Sequence, residues 1–155
     1  MNAITFRKAS LDDRETLLEL EQKVIDAERP FNTAIKTNDT SYYDLEHLIV
    51  GVDSYLVVGE IGGKIVGTGY SQIRESKKSL VHAQHAYLGF MYVDPKYRGM
   101  RINNRLIEVL IEWSKAQGVS DFYLDVYDGN EAATRAYEKA GFEKSLVEMK
   151  LSFSE

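Results

Sequence analysis

Between Ile4 and Ala9 apolar and polar residues alternate weakly, as in a strand, and from Ser10 the spacing lengthens to that of a helix. Ser10 and Asp13 make a helix start, since the hydroxyl caps an orphan amide and the carboxylate suits the positive helix end. Leu17, Leu20, Val24 and Ala27 give this helix one apolar face, and Arg29-Pro30-Phe31 ends it, because proline disfavours helical geometry in the residue before it. Asn32 to Thr40 is polar and reads as a loop, and Tyr42 to Val50 as a second, shorter helix. From Ser54 the period is two: Tyr55 to Val58, the pair Gly62-Gly63, then Ile65 to Tyr70 predict a hairpin. Residues 74 to 84 are polar and basic, a connection, and Ala86 to Val93 is an apolar run of central-strand length.

Asp94-Pro95 stops that strand. After Arg98-Gly99 a long helix follows, with Ile102, Leu106, Val109, Leu110 and Trp113 on one face and Gly118 at its end. Phe122 to Val126 predicts another buried strand. Asn130 caps a last helix bearing Ala133, Ala136, Tyr137 and Ala140 on one face, Gly141 closes it, and Leu146 to Phe153 alternates as a final strand. This order predicts an α+β fold, a mixed sheet with helices on both faces, in one domain over residues 1–155.

Charge narrows the partners. Acidic residues outnumber basic ones by 24 to 19, for a formal net charge of -5, and no basic block exceeds Lys77-Lys78. Counterion release has little to act on, so no nucleic-acid partner is expected. The chain contains no cysteine, which removes disulfides, thiolate zinc sites and a cysteine nucleophile. No stretch approaches the ~18 apolar residues of a membrane span and residues 1–7 lack a signal-peptide core, so a soluble cytoplasmic protein without a membrane partner is expected.

The segment Met91 to Asn103 carries the chemistry: a strand ends, a short loop turns and a helix begins. Free amides at a helix start and the positive end of its dipole form an anion site, glycine lets a phosphate approach, and Arg98 and Arg101 add cationic donors. The same pattern is equally that of a tight surface turn.

At Val93, Pro95, Arg98, Gly99 and Ile102 the chain resembles the GNAT family of N-acetyltransferases, in which a strand ending in Val-x-Pro precedes Arg-Gly-x-Gly-x-Gly/Ala at a helix start. A second signature of that family is similar to Asn130 through Phe142, with Tyr137 and Gly141-Phe142 in place. The resemblance covers nearly the whole chain. It implies a mostly antiparallel sheet whose central strand pair splays into a slot bordered by Asn130 and Tyr137. Acetyl-CoA would lie with its pantetheine on the backbone of Met91, Tyr92 and Val93, its pyrophosphate beside Arg98 on the amides of Gly99, Met100, Arg101, Ile102 and Asn103, and its thioester end against Asn130 and Tyr137. Arg101 and Asn103 replace small residues of the pattern. Directed away from the ligand they leave the cradle open and let Arg101 gain a phosphate contact, the arrangement expected here; directed inward they would crowd it.

The resemblance also assigns Tyr137 as the donor of a proton to the leaving thiolate, whereas helical spacing alone reads it as a packed aromatic. Many members carry a glutamate in the strand before the loop, but Tyr87 to Val93 holds no carboxylate. Glu28, Asp125 and His85 are the candidate bases, and an acceptor arriving neutral would need none. Glu28, Arg29 and Phe31 stand where the acceptor side of the family begins and are the candidate substrate contacts. His82 and His85 do not complete a zinc site, and no metal is predicted. The expected activity is transfer of an acetyl group from acetyl-CoA to a primary amine, whether polyamine, amino acid, drug-like amine, peptide terminus or lysine. The alternative is an acyl-CoA-binding sensor or partner module of the same fold without efficient turnover. The ten tyrosines are compatible with a homodimer.

Overall fold

The computed structural model describes residues 3–153, which form two compact units, one ending at Asp125 and one beginning at Val126. In the first unit the elements run β1 (Thr5–Lys8), α1 (Arg14–Glu28), α2 (Leu45–Val50), β2 (Ser54–Ile61), β3 (Lys64–Glu75), β4 (Gln84–Val93), α3 (Ile102–Ala116) and β5 (Phe122–Tyr123). The second unit holds α4 (Glu131–Lys139). The sheet order is β1-β2-β3-β4-β5, antiparallel throughout except for the parallel pair β4-β5. This is the expected mixed, mostly antiparallel sheet.

The hairpin forms at Gly62 and Gly63, whose φ values of 57° and 80° suit the tight two-residue connection, so Ile61 pairs with Lys64. One face of the sheet carries α1 and α2, where Leu17, Leu20, Leu45, Leu48 and Ile49 pack with Leu56, Val58, Tyr70 and Phe90. On the other face lies α3. A side chain at Gly67 would meet Ile102 and Leu106, and one at Gly69 would meet Met91 and Leu110, so these glycines let the helix sit close. Buried Ser71 and Ser114 join the two layers through their hydroxyls at 2.6 Å, and Ser114 also donates to the Leu110 carbonyl.

Three expectations change. The second helix begins at Leu45 instead of Tyr42, because the amides of Tyr42 and Tyr43 donate to Glu21 Oε2 at 2.6 and 2.9 Å and Asp44 then caps the helix. On α1 the buried positions are Leu17, Leu20, Glu21 and Ile25, while Ala27 is exposed. The strands predicted at 122–126 and 146–153 are cut back or absent. The ladder of β5 stops after Tyr87↔Tyr123, and no ladder involves residues 143–153 among the described residues. Leu146, Met149, Leu151 and Phe153 alternate as expected but are exposed, and a period of two makes a strand only where hydrogen-bonding groups find a partner strand.

Candidate active site

Strand β4 is a paired strand at its start and a bare edge at its end. Ala86 and Tyr87 pair with Phe122 and Tyr123, after which no ladder partner flanks residues 88–93 on the β5 side among the described residues. Beyond the last pair, the Tyr87 hydroxyl donates to Asp125 Oδ2 at 2.8 Å, so the parting strands stay joined by a side chain. On its other edge β4 keeps its bonds to β3, with an irregularity between Thr68 and Tyr70. Opposite it stands Phe90 with φ of 52°, a left-handed conformation unusual for an aromatic residue, and the bulge changes which residues of the strand face each layer. Phe90 is buried among the α1 and α2 residues, while Met91 packs across Gly69 beside Leu110 of α3. Val93 pairs with Gly67, and Tyr92 lies half-buried against the core, its phenol raised by burial and then by Asp94.

The strand then runs into a short turn. Asp94 accepts from the Lys96 amide at 2.9 Å, which with Lys64 nearby holds its carboxyl below the usual carboxylate range. Arg98, Gly99, Met100 and Arg101 are exposed. Gly99 has φ of 86°, and a Cβ there would meet nothing within 4 Å. The first bond of α3 runs from the Arg105 amide to the Arg101 carbonyl at 3.1 Å, and no side chain caps the helix. The amides of Ile102, Asn103 and Asn104 therefore lack intrahelical acceptors and form, with open space at Gly99, a cradle of the kind a pyrophosphate needs. Ile102 is 2% exposed and packs inward, which leaves only its backbone for a ligand.

Arg101 stands at the helix start with φ of 59°, a geometry that costs a non-glycine residue about 1–2 kcal/mol. Arg101→Gly is expected to relieve that cost and raise the melting temperature by about 2–4 °C in a thermal scan.

The acceptor-side candidates separate once placed. Arg29 donates to Asp26 at 3.1 Å and to the Lys36 carbonyl at 2.7 Å, pinning the loop after α1, and Phe31 is exposed in the turn that follows. Glu28 is half-buried; burial raises its carboxyl above the ordinary value, against a hydrogen bond from Tyr42 that lowers it. It stands near Tyr43, whose ring stacks on Phe90 with centroids 4.7 Å apart and whose phenol burial pushes well up. A carboxyl raised on folding adds stability below its ordinary value of 4.5 and loses it as pH rises through the folded-state value. Glu28→Gln is therefore expected to raise the melting temperature at about pH 7 and leave it unchanged at about pH 3.5, measured by thermal unfolding at both.

His85 lies at the opposite end of β4 from Val93, about 26 Å away at the rise of a strand. Its ring and that of His82 both contact the Ser76 hydroxyl, at 2.9 and 2.7 Å, and His82 reaches the Tyr123 hydroxyl at 2.9 Å. Burial, then His82 and Arg74, lower the His85 imidazole. Among the described residues no group of three or more His, Cys, Asp or Glu could hold a metal, and no helix is long and apolar enough to cross a membrane.

In the second unit Asn130 Oδ1 accepts from the Ala133 amide at 3.2 Å, so its side chain caps α4. Tyr137 is half-buried on that helix, its ring edge-on to Phe142 with centroids 6.0 Å apart. Tyr43, Tyr70, Arg74 and Glu21 stand in no motif of the sequence. Glu21 alone left a signal, a carboxylate at helical spacing inside an apolar stripe; it is fully buried, and its Oε1 has no hydrogen-bond partner.

Comparisons with known proteins agree with this fold. A tetramutant of the BH1408 protein from Bacillus halodurans superposes with a TM-score of 0.84 at 24% identity, over 96% of this chain and 99% of that one. A predicted acetyltransferase with acetyl-CoA from Clostridium acetobutylicum does so with a TM-score of 0.76 at 17% identity, over 97% and 96%. In sequence, a probable N-acetyltransferase camello of Xenopus tropicalis is 33% identical over 92 residues, which is 59% of this chain and 40% of that relative. The match thus spans well under half the relative's length. The profile of the Acetyltransferase (GNAT) family matches residues 21–142, most of the chain and both signature segments. The chain belongs to the GNAT acetyltransferase family.

Proposed function

We propose that the protein is an acetyl-CoA-dependent N-acetyltransferase that moves the acetyl group directly to a primary amine. The observation that carries this reading is the bare edge of β4, which contains the bulge at Phe90 and leads into the uncapped start of α3. A bare strand edge suits the amides of a pantetheine arm, and an uncapped helix start suits phosphate. Met91, Tyr92 and Val93 hold the arm through their backbone. The amides from Gly99 to Asn103, with Arg98 and Arg101, hold the pyrophosphate.

Acetyl-CoA supplies a thioester-activated acetyl group: transfer forms a C–N bond, breaks the C–S bond and leaves the electron pair on sulfur. An acceptor arriving as an ammonium releases two protons over the reaction. Glu28, its carboxyl raised by burial, takes the first directly or through water. Tyr137 gives a proton to the departing sulfur and is resupplied with the second. Asn130 acts by fixing the start of the helix that carries Tyr137.

Calorimetric titration with acetyl-CoA, followed by thiol release across a panel of amines, tests the reading. Binding with amine-dependent thiol release supports it. Binding without turnover for any amine makes the chain an acyl-CoA-binding module, and no binding at millimolar coenzyme overturns it.

A further inference from the structure

The face of β3 and β4 beside the bulge carries an aromatic wall with different charges at its two ends. Tyr43 stacks on Phe90 and lies edge-on to Tyr70 at 5.8 Å; Tyr70 in turn lies 6.4 Å from Tyr87. Tyr70 is buried and forms the floor, and Tyr43 and Tyr87 are half-buried to either side. At the Tyr43 end stands Glu28, with Tyr42 as its hydrogen-bond donor. The Tyr87 end carries two opposite charges: the Arg74 guanidinium lies 4.0 Å over the ring, and the Asp125 carboxylate accepts from its hydroxyl at 2.8 Å. Arg74 donates to Gln72 at 2.9 Å, and both Arg74 and Asp125 are exposed. Among the described residues none of Glu28, Arg74 and Asp125 forms an ion pair within the chain.

A guanidinium and a carboxylate on one ring are complementary to the carboxylate and ammonium of an α-amino acid, the guanidinium offering a planar fork. Tyrosine rings accept an aliphatic stem along their faces and an ammonium over them. A lone carboxylate at the far end suits one more ammonium, and that end adjoins Phe90, which lies within the bare edge of β4.

We propose, on the strength of the acetyltransferase reading above, that the acceptor is a free amino acid of lysine type, its side-chain amine at Glu28 and its α-carboxylate and α-ammonium at Arg74 and Asp125. The substrate is then read at both ends, and the tyrosines set the length of the stem between them. A diamine would lose the Arg74 contact, and a lysine within a peptide would lose both contacts at the Tyr87 end.

Thiol release with acetyl-CoA would be measured for L-lysine, cadaverine, 6-aminohexanoate and Nα-acetyl-lysine amide, with calorimetric binding of the same four in the presence of CoA. L-lysine is expected to exceed each of the others by about tenfold or more in kcat/KM, the effect of one charge-assisted contact, and to bind most tightly. Arg74→Gln should bring the lysine-to-cadaverine ratio close to one, mainly through KM, and Arg74→Lys should restore part of it. Asp125→Asn should do the same to the ratio of lysine to 6-aminohexanoate. Thermal scans of each variant separate misfolding from lost recognition, and the wild-type ratios stand without any variant. Turnover in which cadaverine or the blocked lysine equals L-lysine overturns this inference and leaves the acetyltransferase standing; absence of coenzyme binding overturns both.

Discussion

Tyr137→Phe is expected to lower kcat by about 10²–10³-fold while acetyl-CoA affinity changes by less than about threefold. The substitution removes a single hydroxyl. A phenol with a pKa of about 10 is a competent donor to a thiolate, and phenylalanine cannot donate at all. The ring itself is retained, so its edge-on contact with Phe142 and the half-buried face of α4 remain as they are. Binding of the coenzyme is assigned to strand and helix backbones in the other compact unit, which the substitution does not touch. Stopped assays of thiol release give kcat, and calorimetry on the same preparation gives affinity. A loss confined to kcat marks an interaction made in the transition state. If kcat falls less than about twofold, the Tyr137 side chain serves packing, and the departing sulfur takes its proton from elsewhere.

The elements most legible in the sequence are those whose signals are local. Gly62-Gly63 between two alternating runs specified the hairpin, and the stripe through Ile102, Leu106 and Leu110 specified α3, because each depends on residues a few positions apart. The cradle was legible for the same reason: strand end, turn and helix start are contiguous in the chain. The acceptor side was less so. The residues proposed for it, Glu28, Tyr43, Tyr70, Arg74, Tyr87 and Asp125, come from α1, the loop before α2, β3, β4 and the segment after β5, far apart in the chain. The bulge itself was hidden because its left-handed residue is Phe90 and not the glycine beside it. Glu21 shows a further limit. Its carboxylate is retained in the core because two loop amides donate to it, and no spacing rule announces a partner twenty-one residues on.

Gly89→Ala is expected to destabilise the fold by about 3 kcal/mol, at the upper end of what overpacking costs, and to lower the melting temperature by about 6–12 °C. Backbone strain is not the cause, since Gly89 is not among the residues with positive φ. The obstacle is Tyr70: a Cβ at position 89 would stand 2.4 Å from its Cζ and 2.5 Å from its hydroxyl oxygen. That ring is 5% exposed and packed between Tyr43, edge-on at 5.8 Å, and Tyr87 at 6.4 Å, so it moves only by disturbing both. Gly63→Ala supplies the contrast. Nothing lies within 4 Å of a Cβ there, but its φ of 80° charges the new residue about 1 kcal/mol for conformation alone. Thermal unfolding of the two variants side by side separates the effects: equal losses would mean that Tyr70 yields without cost, and a loss at Gly89 about three times larger would mean that the aromatic floor is rigid. The rigid outcome has a consequence for the acceptor. A floor that cannot shift fixes the spacing between Glu28 and the Arg74-Asp125 pair, and a fixed spacing discriminates between stems that differ by one methylene, whereas a yielding floor would accept them alike.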